Sequence, residues 1–199
     1  MILKGLIQEI INEHLEIIKM LKHDSDFTNN IIEISKLIID SFKLGGKLLI
    51  CGNGGSAADS QHLATELVSR FFIERRALDA EALTVNTSTL TAIANDYSFD
   101  KVFARQVEAK GKEGDVLLAI STSGNSKNVI EAIKAAKSIG IKTIGFVGNN
   151  IDSLICRMSD YYVLIPSNST PRIQETHILT GHIICEIVER NLFEKNINP

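Results

Sequence analysis

The sequence has 199 residues, of which 44% are hydrophobic and 23% charged, and these proportions predict a single globular domain over residues 1–199. A net charge of −3 with scattered basic residues argues against a nucleic-acid partner, and the absence of an apolar run of ~18 residues argues against a membrane span. Three distant cysteines in apolar runs predict buried, reduced thiols and a cytoplasmic protein.

Residues 1–43 predict a hairpin of two helices. Apolar residues such as Ile10 and Ile17 recur at helical spacing, and a polar segment at 24–30 separates the two series. Gly45-Gly46 ends the second helix. A helical hairpin before the first strand either caps the sheet or presents an apolar face to another subunit. We expect the second role, a contact between subunits.

From residue 47 onward, apolar strand patterns alternate with helical patterns. Strands are expected near 47–51, 82–85, 115–120, 142–147 and 161–165, and helices near 56–70, 88–95, 99–110, 126–139, 151–158 and 171–193. This alternation predicts an α/β fold, a doubly wound open sheet of about five parallel strands with helices on both faces. Ligands bind such sheets beyond the carboxyl ends of the strands, where the strand order reverses.

A glycine-rich loop, Gly52-Asn53-Gly54-Gly55-Ser56, joins the first strand to the next helix. Glycine lets the backbone approach a ligand closely, and the free N–H groups of the helix N-terminus attract an anion. The loop has neither the Walker spacing nor the third glycine of a dinucleotide fingerprint. By itself it is a weak indication of a phosphate site.

A second loop, Ser121-Thr122-Ser123-Gly124-Asn125-Ser126, follows the third strand and is here called the hydroxyl loop. Helix capping explains one hydroxyl, but four exceed what a cap requires, so we favour an anion site. Within the two loops and their flanks, Lys127 is the one basic residue. Recognition by backbone amides and hydroxyls suits a phosphomonoester better than a nucleoside triphosphate.

Two helices carry polar side chains that could share a site. His62 and Glu66 are four residues apart and project from one helical face, as an acid/base or metal pair would. On the last helix, Gln174 and His182 lie on one side, whereas a single His such as His177 on an apolar helix is usually a core residue. Because glutamine is a poor zinc ligand, spacing alone makes a metal site the less favoured interpretation.

Three motifs together resemble the sugar isomerase (SIS) domain family and, within it, the phosphoheptose isomerases. They are the glycine-rich loop at 52–56, the hydroxyl loop at 121–126, and Arg172-Ile173-Gln174-Glu175 followed by His177. The resemblance extends over the whole chain and implies a flavodoxin-like fold. It also implies interconversion of sedoheptulose 7-phosphate and D-glycero-D-manno-heptose 7-phosphate, which starts heptose synthesis for bacterial surface polysaccharide.

The same resemblance implies residue roles. Glu66 and His182 are the implied catalytic pair, and zinc is implied on His62, Glu66, Gln174 and His182. The implied substrate-binding residues are Asn53, Gly54, Gly55, Ser56, Glu66, Asn95, Asp96, Ser121, Thr122, Ser123, Ser126 and Gln174. Family members are homotetramers whose sites combine residues of more than one subunit, which would explain the N-terminal hairpin.

Another group of similar length shares these loops but is non-catalytic and binds the replication initiator. That group lacks acid/base residues at the positions of Glu66 and His182, and both are present here, which favours the enzyme. One departure is Pro171, where some isomerases have a carboxylate before the arginine. The sequence leaves open what this change removes.

Overall fold

A computed structural model describes residues 2–194, whereas Met1 and residues 195–199 lie outside the described part. The helices are α1 (Ile2–His23), α2 (Ser25–Lys43), α3 (Gly55–Val68), α4 (Thr87–Asp96), α5 (Ala104–Lys110), α6 (Lys127–Ser138), α7 (Leu154–Met158) and α8 (Thr170–Phe193). The strands are β1 (Leu48–Gly52), β2 (Ala80–Ala82), β3 (Val116–Ser121), β4 (Lys142–Val147) and β5 (Tyr161–Leu164).

All five strands are parallel and lie in the order β2-β1-β3-β4-β5, which confirms the predicted doubly wound sheet. Successive residues of a strand point to opposite faces, and each face has its own core. Leu118 packs with α2, α3 and α8 on one face, whereas Leu117 packs with α5, α6 and α7 on the other. The central strands β1 and β3 are buried throughout, as parallel strands covered by helices on both faces should be.

Three predicted boundaries were wrong. The second strand lies at Ala80–Ala82 rather than 82–85, because this segment pairs with Leu48–Ile50 of β1. The expected helix at 99–110 is divided into a 3₁₀ turn at Phe99–Lys101 and α5. The helix expected at 151–158 begins only at Leu154, where the Ser153 hydroxyl accepts a hydrogen bond from the Cys156 N–H.

The N-terminal hairpin is present, but its break is narrower than predicted. Asp24 alone separates the helices, and its carboxylate caps α2 by accepting hydrogen bonds from the N–H groups of Asp26 and Phe27. Asn29 and Asn30 therefore lie inside α2 rather than in a break. All three cysteines are free and buried, as predicted. Among the described helices, none combines the length and apolar character needed to cross a membrane.

Candidate active site

The two predicted substrate loops lie on neighbouring strands. β1 and β3 are adjacent in the sheet, and the strand order reverses between them, so the loops that follow them flank the switch point of the fold. Asn53 of the first loop and Asn128 of α6 exchange two amide hydrogen bonds of 2.9 and 2.8 Å. The structure therefore brings the glycine-rich loop and the hydroxyl loop together.

The glycine-rich loop makes its turn at Gly54, whose φ of +57° favours glycine over other residues. Gly54 and Gly55 are exposed, and a side chain at Gly55 would collide with the amide of Gln174. Ser56 is buried against Gly52, and its N–H donates to the Asn53 carbonyl. Gln174 of α8 thus lies directly against the N-terminus of α3.

In the hydroxyl loop, the serine hydroxyls contact each other rather than cap α6. Ser126 is the N-cap of α6 but makes no side-chain cap hydrogen bond, and its hydroxyl lies 2.9 Å from that of Ser121. Ser123 lies 3.4 Å from Ser121. Thr122 and Ser123 also border a polar cavity of about 300 Å³ shared with the loops after β4 and β5. Capping therefore does not account for these hydroxyls.

His62, Glu66 and His182 form one cluster between α3 and α8. Glu66 Oε1 lies 3.0 Å from His62 Nε2 and 4.0 Å from His182 Nε2, and the two imidazole nitrogens are 3.3 Å apart. Their side chains are between 22% and 50% exposed, so a ligand can reach them. Burial and the neighbouring His62 lower the pKa of His182, whereas Glu66 opposes this shift. The predicted acid/base pair is therefore together in a single chain.

Asp59 lies one turn before His62 and was not among the predicted site residues. One of its carboxylate oxygens is buried without a hydrogen-bond partner within the described residues. Burial raises the pKa of Asp59 to about 6, although His62 partly opposes this effect. A carboxylate that titrates near neutral pH beside a cluster of imidazoles is typical of a functional site.

Residues of the Arg172-Ile173-Gln174-Glu175 motif contact two different parts of the chain, the N-terminus of α3 and the helix α1. Gln174 contacts Gly55, seven residues before His62 and therefore about 10 Å from it along the axis of α3. Arg172 forms a bidentate ion pair with Glu175 and also contacts α1, as Glu175 does through His14. Participation of Gln174 in the His62 cluster thus remains a prediction.

Asn95 and Asp96 lie on α4, whereas His177 lies on α8. Asn95 and Asp96 are exposed at the end of α4, where the Asn95 amide donates to the Asp96 carboxylate. Their role in substrate binding remains a prediction. His177 is fully buried and donates from Nε2 to the Val147 carbonyl at 3.2 Å, which confirms that it is a core residue.

Comparison with known proteins identifies the family. A family model described as the SIS domain matches residues 12–148. The phosphoheptose isomerase of Clostridium acetobutylicum is 51% identical over 198 residues, which cover 98% of this chain and 100% of that protein. This chain belongs to the phosphoheptose isomerase family.

Solved structures of phosphoheptose isomerases extend this likeness to the fold. The Neisseria gonorrhoeae structure has a TM-score of 0.87 at 40% identity and covers 94% of this chain and 98% of its own. The Francisella tularensis structure has a TM-score of 0.90 at 33% identity and covers 96% and 100%. The predicted membership in the phosphoheptose isomerase family of SIS domains is confirmed.

Sequence reasoning missed residues that organise this phosphoheptose isomerase site. Asn128 follows the hydroxyl loop by two residues, yet nothing in its local pattern indicated that it pairs with Asn53. Arg75 lies in the charged run Glu74-Arg75-Arg76, which is typical of a solvated surface, but its side chain is 1% exposed and pairs with Glu189. Contacts between distant residues of this kind have no periodic pattern to reveal them.

Proposed function

We propose that this chain is an aldose–ketose isomerase that interconverts sedoheptulose 7-phosphate and D-glycero-D-manno-heptose 7-phosphate. The observation that carries the proposal is the cluster in which Glu66 lies 4.0 Å from His182 on a separate helix. Family membership supplies the substrate class, since relatives named phosphoheptose isomerase match nearly the full chain. A purely structural pair of helices has no need of three ionisable groups at a ligand-accessible face.

Moving a carbonyl between C1 and C2 requires removal of a proton from the carbon beside the carbonyl, followed by protonation of its neighbour. Glu66 is the proposed base that takes the first proton and leaves an enediolate. His182 is the proposed acid, which donates a proton from an imidazole nitrogen to the carbonyl oxygen O2 and takes up the proton that leaves O1. Glu66 then returns its proton to C2, so both groups regain their starting protonation states. In the reaction from aldose to ketose, the same two groups carry out these proton transfers in reverse.

The substrate phosphate is assigned to the hydroxyl loop. The hydroxyls of Ser123 and Ser126 already lie within hydrogen-bond distance of the Ser121 hydroxyl, so little side-chain freedom is lost on binding. The loop also precedes α6, whose N-terminal N–H groups favour an anion. Gly54 and Gly55 expose their backbone at the start of α3, the helix that carries Glu66, and we assign the sugar to this side of the site.

The cluster also fits a zinc ion. Ligands of a tetrahedral zinc with bonds of ~2.0–2.2 Å lie roughly 3.3–3.6 Å apart, and the three measured separations here range from 3.0 to 4.0 Å. His62, Glu66 and His182 would hold the metal. Gln174, the predicted fourth ligand, contacts Gly55 in this structure and would have to reach the metal from there. When bound, zinc acts as a Lewis acid that polarises the substrate carbonyl.

A homotetramer is the proposed assembly. Seven apolar residues of α1 are between 40% and 74% exposed, namely Leu3, Leu6, Ile7, Ile10, Ile11, Leu15 and Met20. A helix this apolar on its outer side is typical of a protein interface. Asn95 and Asp96, which are exposed at the end of α4, would then complete the site of a neighbouring subunit.

A direct assay tests the function. The purified chain is incubated with sedoheptulose 7-phosphate, and the anomeric proton signals of the aldose product are followed by NMR. We expect the equilibrium mixture of ketose and aldose from either starting sugar. The alternative, a non-catalytic protein that binds the replication initiator, predicts binding to that partner and no change in the sugar.

A further inference from the structure

A buried ion pair lies between the two helices that carry the proposed catalytic groups. Arg75 Nε is 2.9 Å from Glu189 Oε1, and each side chain is only 1% exposed. Arg75 follows α3, whereas Glu189 lies near the end of α8, seven residues after His182. The proposed chemistry uses neither residue, so their burial requires another explanation.

Glu189 holds the segment that follows α3. Its two carboxylate oxygens accept hydrogen bonds from three successive N–H groups, those of Phe71, Phe72 and Ile73, at 2.9, 2.7 and 3.1 Å. Burial alone would raise the pKa of Glu189, but these N–H groups and Arg75 lower it below its usual value. The carboxylate is therefore ionised and fully paired in the fold.

Arg75 holds the end of α3 itself. The last carbonyls of a helix have no partner within it, and Arg75 supplies donors to two of them. Its Nη2 lies 2.9 Å from the Glu66 carbonyl, and its Nη1 lies 2.8 Å from the Leu67 carbonyl and 2.7 Å from that of Ser69. The guanidinium thus binds the backbone of the residue that carries the proposed base.

The same network also reaches the proposed acid. The ring of Phe71 packs against the His182 ring with 5.6 Å between the centroids. Since the Phe71 N–H donates to Glu189, the carboxylate fixes the segment that supports this imidazole. One ion pair therefore contacts both members of the catalytic pair, Glu66 through its backbone and His182 through Phe71.

We propose that Arg75 and Glu189 are positioning residues that fix Glu66 and His182 relative to each other for proton transfer. This inference rests on the proposed isomerase function. A buried ion pair is weak evidence of stabilisation, because apolar residues of similar volume often serve as well. Two groups on separate helices that exchange protons with one substrate must be placed accurately relative to each other. A displacement of ~1 Å can cost ~100-fold in rate.

Steady-state kinetics of Arg75→Lys and Glu189→Gln test the proposal. Lys keeps the charge but loses the planar fork, and Gln removes the charge while keeping the shape. We expect kcat to fall about 10- to 100-fold, with KM changed less than about threefold, because the hydroxyl loop on β3 is untouched. Unchanged kcat in both variants would overturn the proposal.

Asp115→Asn is the matched control for lost stability. Asp115 is fully buried and pairs with Lys47 at 2.8 Å. Both residues precede their strands, so they lie at the amino ends of β1 and β3, whereas the substrate loops follow the carboxyl ends. This variant should keep its kcat. An equal loss of kcat in Asp115→Asn would show that Arg75 and Glu189 act only through general stability.

Two further measurements test the proposal even if these variants do not fold or if the assigned substrate is wrong. If Arg75→Lys and Glu189→Gln do not fold, Phe71→Leu removes the ring against His182, and its kcat should fall at least about threefold. Crystal structures of folded variants should show the Glu66–His182 separation changed from 4.0 Å. An unchanged separation contradicts the positioning role, whereas an inactive wild type contradicts only the isomerase assignment.

Discussion

Asn53 and Asn128 bind each other through both ends of their amide groups, with distances of 2.9 and 2.8 Å. Asn53 belongs to the loop after β1, and Asn128 lies in the first turn of α6, just after the hydroxyl loop. Asn128 is 3% exposed, so water does not readily replace its partner. The pair joins the two substrate loops across the switch point of the sheet.

Loss of this pair should weaken substrate binding. Asn128→Ala leaves the Asn53 amide without its partner, at a cost of ~1–3 kcal/mol. We expect KM for sedoheptulose 7-phosphate to rise about tenfold. Asn53→Ala and the double variant complete a double-mutant cycle, in which effects that simply add would contradict the coupling.

The hydroxyl loop should account for phosphate affinity. Ser121→Ala and Ser123→Ala each remove a hydrogen bond to a charged group, worth ~1.5–3 kcal/mol, so each should weaken binding by about 10- to 100-fold. Calorimetry in the Glu66→Gln background measures affinity without turnover. Ser138→Ala, at the far end of α6, is the control. Equal affinity in the double serine variant would place the phosphate elsewhere.

The sheet could be predicted because its signals are local. Unbroken apolar runs indicated β3 and β4, and glycine or hydroxyl loops marked where strands end. The exception was β2, where Leu83, Thr84 and Val85 have strand propensity but Ala80–Ala82 forms the strand. Pairing with β1 decided that register, and such pairing is a tertiary effect that propensity does not include.

The candidate site was only partly predictable for a similar reason. Helical spacing placed Glu66 beside His62, but the approach of His182 depends on how α3 packs against α8. Gln174 and His182 were expected at one site because of their common helical face. Gln174 contacts Gly55 in this chain, and its place in the cluster stays a prediction. Spacing gives the direction of a side chain around a helix and says little about the neighbour it meets.

Metal analysis tests the zinc proposal. Protein purified without chelators should contain close to one zinc per chain, because three donors already lie within 4.8 Å of one another. His62→Ala should lose most of the metal, whereas His23→Ala, at the exposed end of α1, should retain it. If the purified protein contains no zinc, is fully active and is unaffected by added zinc, the cluster has acid/base roles alone.

Buried His177 should make the fold sensitive to acid. Burial lowers its pKa from 6.5 to about 4, although the hydrogen bond to the Val147 carbonyl opposes this shift. Below pH 6.5 the unfolded chain binds a proton that the folded chain does not, so stability falls as the pH drops from 6.5 toward 4. At 1.36 kcal/mol per pH unit, the full loss is about 3 kcal/mol.

His177→Gln should remove this part of the acid sensitivity. Glutamine retains an N–H donor for Val147 but does not titrate. The free energy of unfolding of the variant should therefore change less than that of the wild type between about pH 7 and pH 4.5. Urea unfolding of chelator-treated protein at a fixed concentration measures the difference. His23→Gln controls for loss of an exposed imidazole. An unchanged pH dependence in His177→Gln would assign the acid sensitivity to other groups.

The turnover number of Glu66→Gln tests the central claim most directly. Glutamine keeps the shape of the side chain but cannot accept the substrate proton, so kcat should fall by ~10²–10⁴-fold with the oligomeric state unchanged. Glu74→Gln, a nearby glutamate whose side chain is 87% exposed, should keep the wild-type rate. A Glu66→Gln variant within about threefold of the wild-type kcat would contradict the assignment of Glu66 as the base.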